Sequence, residues 1–266
     1  MENEVIKVKF EGALKKAIEK AIEKLGSLCK FVSPNDKVLL KPNFITQDPY
    51  PATTSLDFLE KLIEILFEKG KAKEIIIGES SAWHLETRKV MENLGIFSLA
   101  LKFKNLKIIP FEECGWERVR VFKGKYLKEV SLPKILKEVS KIILLPCLKT
   151  HSQTFFTLSL KLAMGFLPPE DKEMFHKDHL EEKIAELNTL FNPTLIIIDA
   201  RKCFVSGGPD KGEIREPNLI LASKNRVALD VEGIKILKRY GATNFLNKDP
   251  LEFLQIKRAI ELKIDI

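Results

Sequence analysis

Six polar side chains stand in a row at Lys149, Thr150, His151, Ser152, Gln153 and Thr154, between two apolar stretches. A plain connection needs only two or three. Lysine and histidine at this spacing suit two tasks: an ammonium fixes a carboxylate or phosphate as a point charge, and an imidazole exchanges a proton near neutral pH. Three further exits from apolar runs carry reactive groups, namely Lys41 with Asn43, Glu79 with Ser80, and Asp199 with Arg201. In an open α/β sheet, ligands bind at the carboxyl ends of the strands. These exits are therefore expected to share one crevice, with His151, Lys149 and Glu79 as catalytic candidates. Lys41, Asn43, Ser80, Thr150, Lys161, Asp199, Gly207 and Gly208 are the ligand-binding candidates.

Each candidate also has a plainer reading. A polar residue after a strand commonly caps or turns the chain, and Ser152 or Thr154 can cap a following helix. Gly207 and Gly208, in S-G-G-P, can offer backbone N–H groups to an anion or simply form a turn. Lys161 sits among Leu158, Leu160, Leu162 and Ala163, where a snorkelling or ion-paired lysine competes with a crevice cation. Cys147 reads as a small buried hydrophobe, since a nucleophilic thiol needs a lowered pKa. The histidines are His84, His151, His176 and His179. With Glu79 and Asp199 they leave a metal site open but name no element. There is no G-x-G-x-x-G after a strand, no Walker A sequence and no G-x-S-x-G, so nucleotide-binding and serine-hydrolase readings lose their strongest cues.

Positioning these groups requires short buried strands. Val5–Phe10, Lys37–Lys41, Glu74–Ile77, Lys107–Phe111, Ile142–Leu145, Thr194–Ile198 and Leu219–Leu221 are predicted strands, several of them unbroken β-branched and leucine runs covered on both faces. Helical spacing follows in Leu14–Leu25, in Leu59–Leu66 after a cap at Thr54 with Asp57, around Leu85–Leu94, in Leu180–Phe191 and in Val227–Tyr240. Phe155–Phe166 is predicted as one buried helix, whose N-terminus would add its dipole to an anion site in the preceding loop. Arg118–Val130 reads as an inserted β-hairpin turning at Lys123–Lys125, and Pro168 to Asp178 as a charged connection. Residues 201–218 form a long loop suited to a lid. Asp249, Pro250 and Glu252 cap a final helix. The expected fold is α/β, a mostly parallel sheet with helices on both faces. One domain is expected, with a small lobe from residues 112–132 and 200–218.

The 266 residues are 45% hydrophobic, which supplies a sizeable core, and carry a net charge of +7. The lysines alternate with glutamates, as in KKAIEKAIEK, so the surplus describes solvated helix faces better than a nucleic-acid footprint. High Lys, Glu and Ile with few Gln resembles a thermophile composition. No apolar leader and no membrane span are visible, and the four cysteines are scattered without a C-x-x-C pair. A cytoplasmic, reducing setting without an intrinsic iron-sulfur cluster is expected.

The stretches LLKPNF, TTSLDFLEKLIEIL with GKAKEIIIGES, LPCLKTHSQTFFTLSLKLAMG, IIIDA with SGGPDKG, and NLILASKNRVALD occur in this order from about Val38 to Asp230. Together they resemble the domain-of-unknown-function family three-six-two. The resemblance implies no assigned reaction. It points to Lys41, Asn43, Glu79, Lys149, His151, Lys161, Asp199, Gly208, Pro209 and Asp230. It also implies a link to iron-sulfur chemistry, because many members carry a ferredoxin-like module with two clusters, which this chain lacks. The family usually reads Leu-Lys-Asn where this chain has Leu162 after Lys161. The expected function is binding of a small anionic molecule, with proton transfer or isomerisation as the fitting chemistry. Docking of a separate ferredoxin-type partner is the alternative, and nucleic-acid binding the weakest of the three.

Overall fold

The apolar runs form the middle of one sheet in the computed structural model, which describes residues 4–243 and 248–265. Its strands are β1 (Val5–Lys9), β2 (Lys37–Pro42), β3 (Glu74–Glu79), β4 (Leu106–Pro110), β7 (Lys141–Leu145), β8 (Cys147–His151), β9 (Phe155–Thr157), β10 (Leu195–Phe204), β11 (Ile214–Arg215) and β12 (Leu219–Ser223), while β5 (Trp116–Arg120) and β6 (Glu129–Pro133) pair separately. The spatial order is β1-β12-β10-β7-β2-β3-β4. The β10-β7-β2-β3-β4 pairings are parallel, and β12 and β1 close the other edge antiparallel.

Alternation along each strand decides which helices it meets. Leu39, Ile76, Ile142, Leu144, Ile196 and Ile198 belong to one apolar cluster. Their neighbours Val38, Leu40, Ile75, Ile77, Ile143, Leu145, Leu195 and Ile197 belong to the other. Because successive side chains in a strand point to opposite faces, this split is the two sides of the sheet. Helices α1 (Leu14–Lys24), α2 (Leu56–Glu68), α3 (Thr87–Asn93) and α4 (Ser98–Lys102) cover the second face. On the first lie α5 (Ser159–Leu162), α6 (Pro169–Phe175), α7 (Leu180–Leu187), α8 (Arg226–Arg239) and α9 (Leu254–Glu261). The mostly parallel α/β architecture is as the sequence predicts. No helix among the described residues is long and apolar enough to cross a membrane.

Five local readings differ from the sequence expectation. Phe155–Phe166 is not one helix: β9 pairs antiparallel with β8, α5 follows, and a 3-10 turn spans Ala163–Phe166. Buried strand and buried helix are equally apolar, so the run hides the break. For the same reason Lys149, Thr150 and His151 lie on a strand rather than in a loop, and only Ser152–Thr154 turn the chain. The helix that follows, α5, has only four residues and begins after β9 rather than at that turn. The connection after Pro168 contains α6, with Pro169 in its first turn. Thr54 does not cap α2: Ser55 holds the cap position, and the Thr54 hydroxyl donates to the Leu145 carbonyl at 2.9 Å. The last strand-exit reading also shifts, because β10 continues past Asp199 to Phe204, pairing with β8 and β11. The hairpin is present as β5 and β6, and its tip is held by the Glu186 carboxylate, which accepts from the Lys125, Tyr126 and Leu127 N–H groups.

Asp230 on α8 fixes the start of the short helix α5. Its buried carboxylate accepts from the N–H groups of Ser159 and Leu160 at 2.8 and 3.0 Å and from the Ser159 hydroxyl. Asp230→Ala should therefore lower stability by about 2–4 kcal/mol in urea unfolding, because two buried donors lose their acceptor. Asp230→Asn, which keeps one acceptor oxygen, should lose clearly less.

Candidate functional site

At the carboxyl end of the parallel strands, Lys41 is the penultimate residue of β2 and Glu79 the last of β3. Their side chains meet at 2.6 Å, fully enclosed. Glu79 also accepts from the N–H groups of Phe44 and Ser80, and Lys41 donates to the Pro42 carbonyl. Burial drives the Lys41 pKa down and the Glu79 pKa up, and each group's charge holds the other against that drift. Gly165 is required beside them: a Cβ there would overlap both Glu79 Oε1 and Lys41 Nζ.

Next to this pair opens a cavity of about 300 Å³. Its wall includes Asn43, Glu79, Ser80, Lys149, His151, Thr157, Lys161, Lys172, His176 and the acidic Asp210, with Ile45, Ala82, Trp83, Leu162 and Met164 as apolar surface. Three of these are buried lysines. Lys149 donates to the carbonyls of Ala52 and Pro209. Lys172, from α6, donates to the Ser80 carbonyl and hydroxyl and to the Ser81 carbonyl. An ammonium has three donors, so Lys172 is saturated by protein.

Lys161 differs. It is only 8% exposed and lines the cavity, yet has no hydrogen-bond acceptor or ion-pair partner among the described residues. Burial, and then the positive charge of Lys149, lower its pKa to about 7, with Glu181 acting the other way. Lys172 is also lowered to about 7, by burial. The Thr157 hydroxyl, also on the wall, is buried without a hydrogen-bond partner among the described residues. His151 Nδ1 accepts from the N–H of Gln153 at 3.1 Å and of Thr154 at 3.4 Å. Its ring proton is therefore on Nε2. Burial, followed by the charges of Lys161 and Lys149, pushes its pKa far down, so the ring is a neutral donor.

The structure thus brings Asn43, Glu79, Ser80, Lys149, His151 and Lys161 onto one wall. It places the other candidates elsewhere. Lys41 lies behind Glu79. Asp199 belongs to a separate polar knot, accepting from the Tyr50 and Ser55 hydroxyls and from the Arg201 guanidinium. The Thr150 hydroxyl has no hydrogen-bond partner among the described residues but does not line the cavity, and the Thr150 carbonyl packs against Gly208, where any Cβ would overlap it. Gly207 and Gly208 both take left-handed backbone conformations, with φ of 66° and 77°, and shape the loop that delivers Pro209 to Lys149. Their role here is to seat the loop. Cys147 is buried, with burial raising its thiol to about 11, which leaves no thiolate for attack. Among the described residues no group of three or more His, Cys, Asp and Glu side chains is placed to hold a metal ion. Sequence reading missed Lys172, Thr157 and Trp83. Pro169 followed by Glu170 and Asp171 is a helix-start pattern that would have placed Lys172 on an element.

Over residues 38–235 the sequence matches the family model described as Domain of unknown function (DUF362). It is also similar to the "Thylakoid-associated protein sll1697" of Synechocystis sp. (strain ATCC 27184 / PCC 6803 / Kazusa), 28% identical over 246 residues that make up 87% of this chain and 72% of that protein.

The enclosed ion pair yields a stability test. Glu79→Gln strands the Lys41 ammonium and should cost about 3–5 kcal/mol in urea unfolding. Adding Lys41→Met to that variant removes the stranded charge and should recover at least half of the loss.

Proposed function

The chain belongs to the family described as Domain of unknown function (DUF362), and on that premise we propose that it binds a small anionic molecule in the cavity beside Glu79. The observation that carries this reading is Lys161: a largely buried lysine on the cavity wall with no protein acceptor among the described residues, in a region where Lys41, Lys149 and Lys172 are each hydrogen-bonded to protein oxygens. A largely buried charge without a protein partner is costly, and an anionic ligand offsets that cost. A carboxylate, sulfate or phosphate group does so. The charges of Lys149 and Lys172 add to the attraction, opposed by the Asp210 carboxylate on the same wall, and the Thr157 hydroxyl offers a further donor.

Proton exchange is reassigned within this reading. His151 accepts two N–H groups at Nδ1 and is kept neutral, so it serves as a donor toward the ligand rather than as a base. The four free cysteines suit a reducing compartment such as the cytoplasm.

Sulfate is the simplest probe, because its charge is constant over the working pH range. It should raise the melting temperature of the wild type and leave Lys161→Met unmoved, while the unliganded variant is at least as stable as wild type. The groups acting on Lys161 are Lys149, Glu181, His151 and His176. Since the anion binds the protonated amine, calorimetric affinity should be level below pH about 7 and fall by about tenfold per unit above it. Equal stabilisation of both proteins would place the anion elsewhere.

A further inference from the structure

We infer that Lys161 is also a nucleophile, forming an imine with the carbonyl group of an anionic oxo compound held in the cavity. The inference rests on the anion-binding reading and narrows its ligand to a carbonyl-bearing acid such as a 2-oxo acid.

The buried lysines differ in what their nitrogen can do. Lys41 is tied to Glu79 and a carbonyl, Lys149 to two carbonyls, and Lys172 to three oxygens. Each of those ammonium groups loses hydrogen bonds if it gives up a proton. Lys161 has no such bond to lose among the described residues, and it lines the cavity. A desolvated lysine beside other cations is the environment in which an amine is neutral enough to attack a carbonyl. Lys149 supplies that neighbouring charge, and burial the desolvation. Leu162 and Met164 add apolar surface to the cavity wall.

In the step itself, the Lys161 Nζ lone pair forms a bond to the carbonyl carbon and the carbonyl π electrons move to oxygen, giving a carbinolamine. The C–O bond then breaks, nitrogen forms the second bond to carbon, and the oxygen leaves as water with the two amine hydrogens. No outside oxidant or reductant is consumed. A carboxylate one carbon from the carbonyl stays within the field of Lys149 and Lys172 throughout. The imine draws electrons from the adjacent carbon, so the chemistry it opens is proton removal or bond cleavage at that carbon.

Pyruvate and L-lactate separate this inference from the reading beneath it. The full chain is incubated with each acid, treated with cyanoborohydride and digested for peptide mass mapping, with the melting temperature measured in parallel. With pyruvate, the peptide containing Lys161 is expected to gain the mass of one pyruvate less one oxygen, at roughly tenfold the occupancy of any surface lysine. Lactate should stabilise the protein without leaving an adduct, and Lys161→Met should lose the adduct while keeping its circular dichroism. Stabilisation by lactate together with no pyruvate adduct, or with adducts spread evenly over surface lysines, overturns the imine and leaves anion binding intact. No stabilisation by either acid, with no adduct, overturns both.

Discussion

A buried ammonium must find acceptors or stay costly, and four of them lie at the carboxyl end of this sheet: Lys41, Lys149, Lys161 and Lys172. Removing an isolated charge from water costs several kcal/mol even after relaxation. The local structure can be understood as a set of answers to that cost. Glu79 answers Lys41 and recruits two backbone N–H groups of its own. Backbone carbonyls of the Ala52 and Pro209 segments answer Lys149, which fastens the loop beyond β10 to β8. The turn after β3 answers Lys172 and thereby pins α6 over the sheet. Lys161 has no such answer among the described residues.

The placement of that one lysine depends on packing remote from it. β8 turns back as β9, which brings the chain to α5, and Asp230 on α8 holds the first N–H groups of α5. Asp230 is itself pushed up to about 7 by burial, offset by the donors it accepts from. Lys161 is thus aimed by a helix of four residues that could not stand alone. Its rigidity comes from Asp230 and from the apolar residues Leu160 and Leu162 packed into the core.

Much of this was legible in the residues. The runs VLL, III and IILL announce strands covered on both faces, and a polar residue at the end of each marks the edge where a crevice forms. Lys41, Glu79 and Lys149 were found that way. Asp199 was found by the same rule and belongs to a different knot, because β10 runs on for five residues after it and Arg201 folds back onto it. Lys161 stood out as a charge in an apolar run, but its lack of a partner depends on three-dimensional neighbours that no spacing shows. Lys172 was hidden in a charged stretch whose neighbours Asp171 and Phe175 are also buried. Charge count says nothing about which face of a short helix turns inward.

The account stands on the protonation of one nitrogen. The Lys161 side chain can be followed directly by NMR of protein labelled at lysine Cε and Nζ, its resonance assigned by its loss in Lys161→Met, across a pH titration with and without sulfate. The account predicts a midpoint near 7 in the free protein, well below the ordinary value of 10.5, and a rise of at least about one unit when sulfate fills the cavity. A midpoint near 10.5 that sulfate leaves unchanged would contradict it.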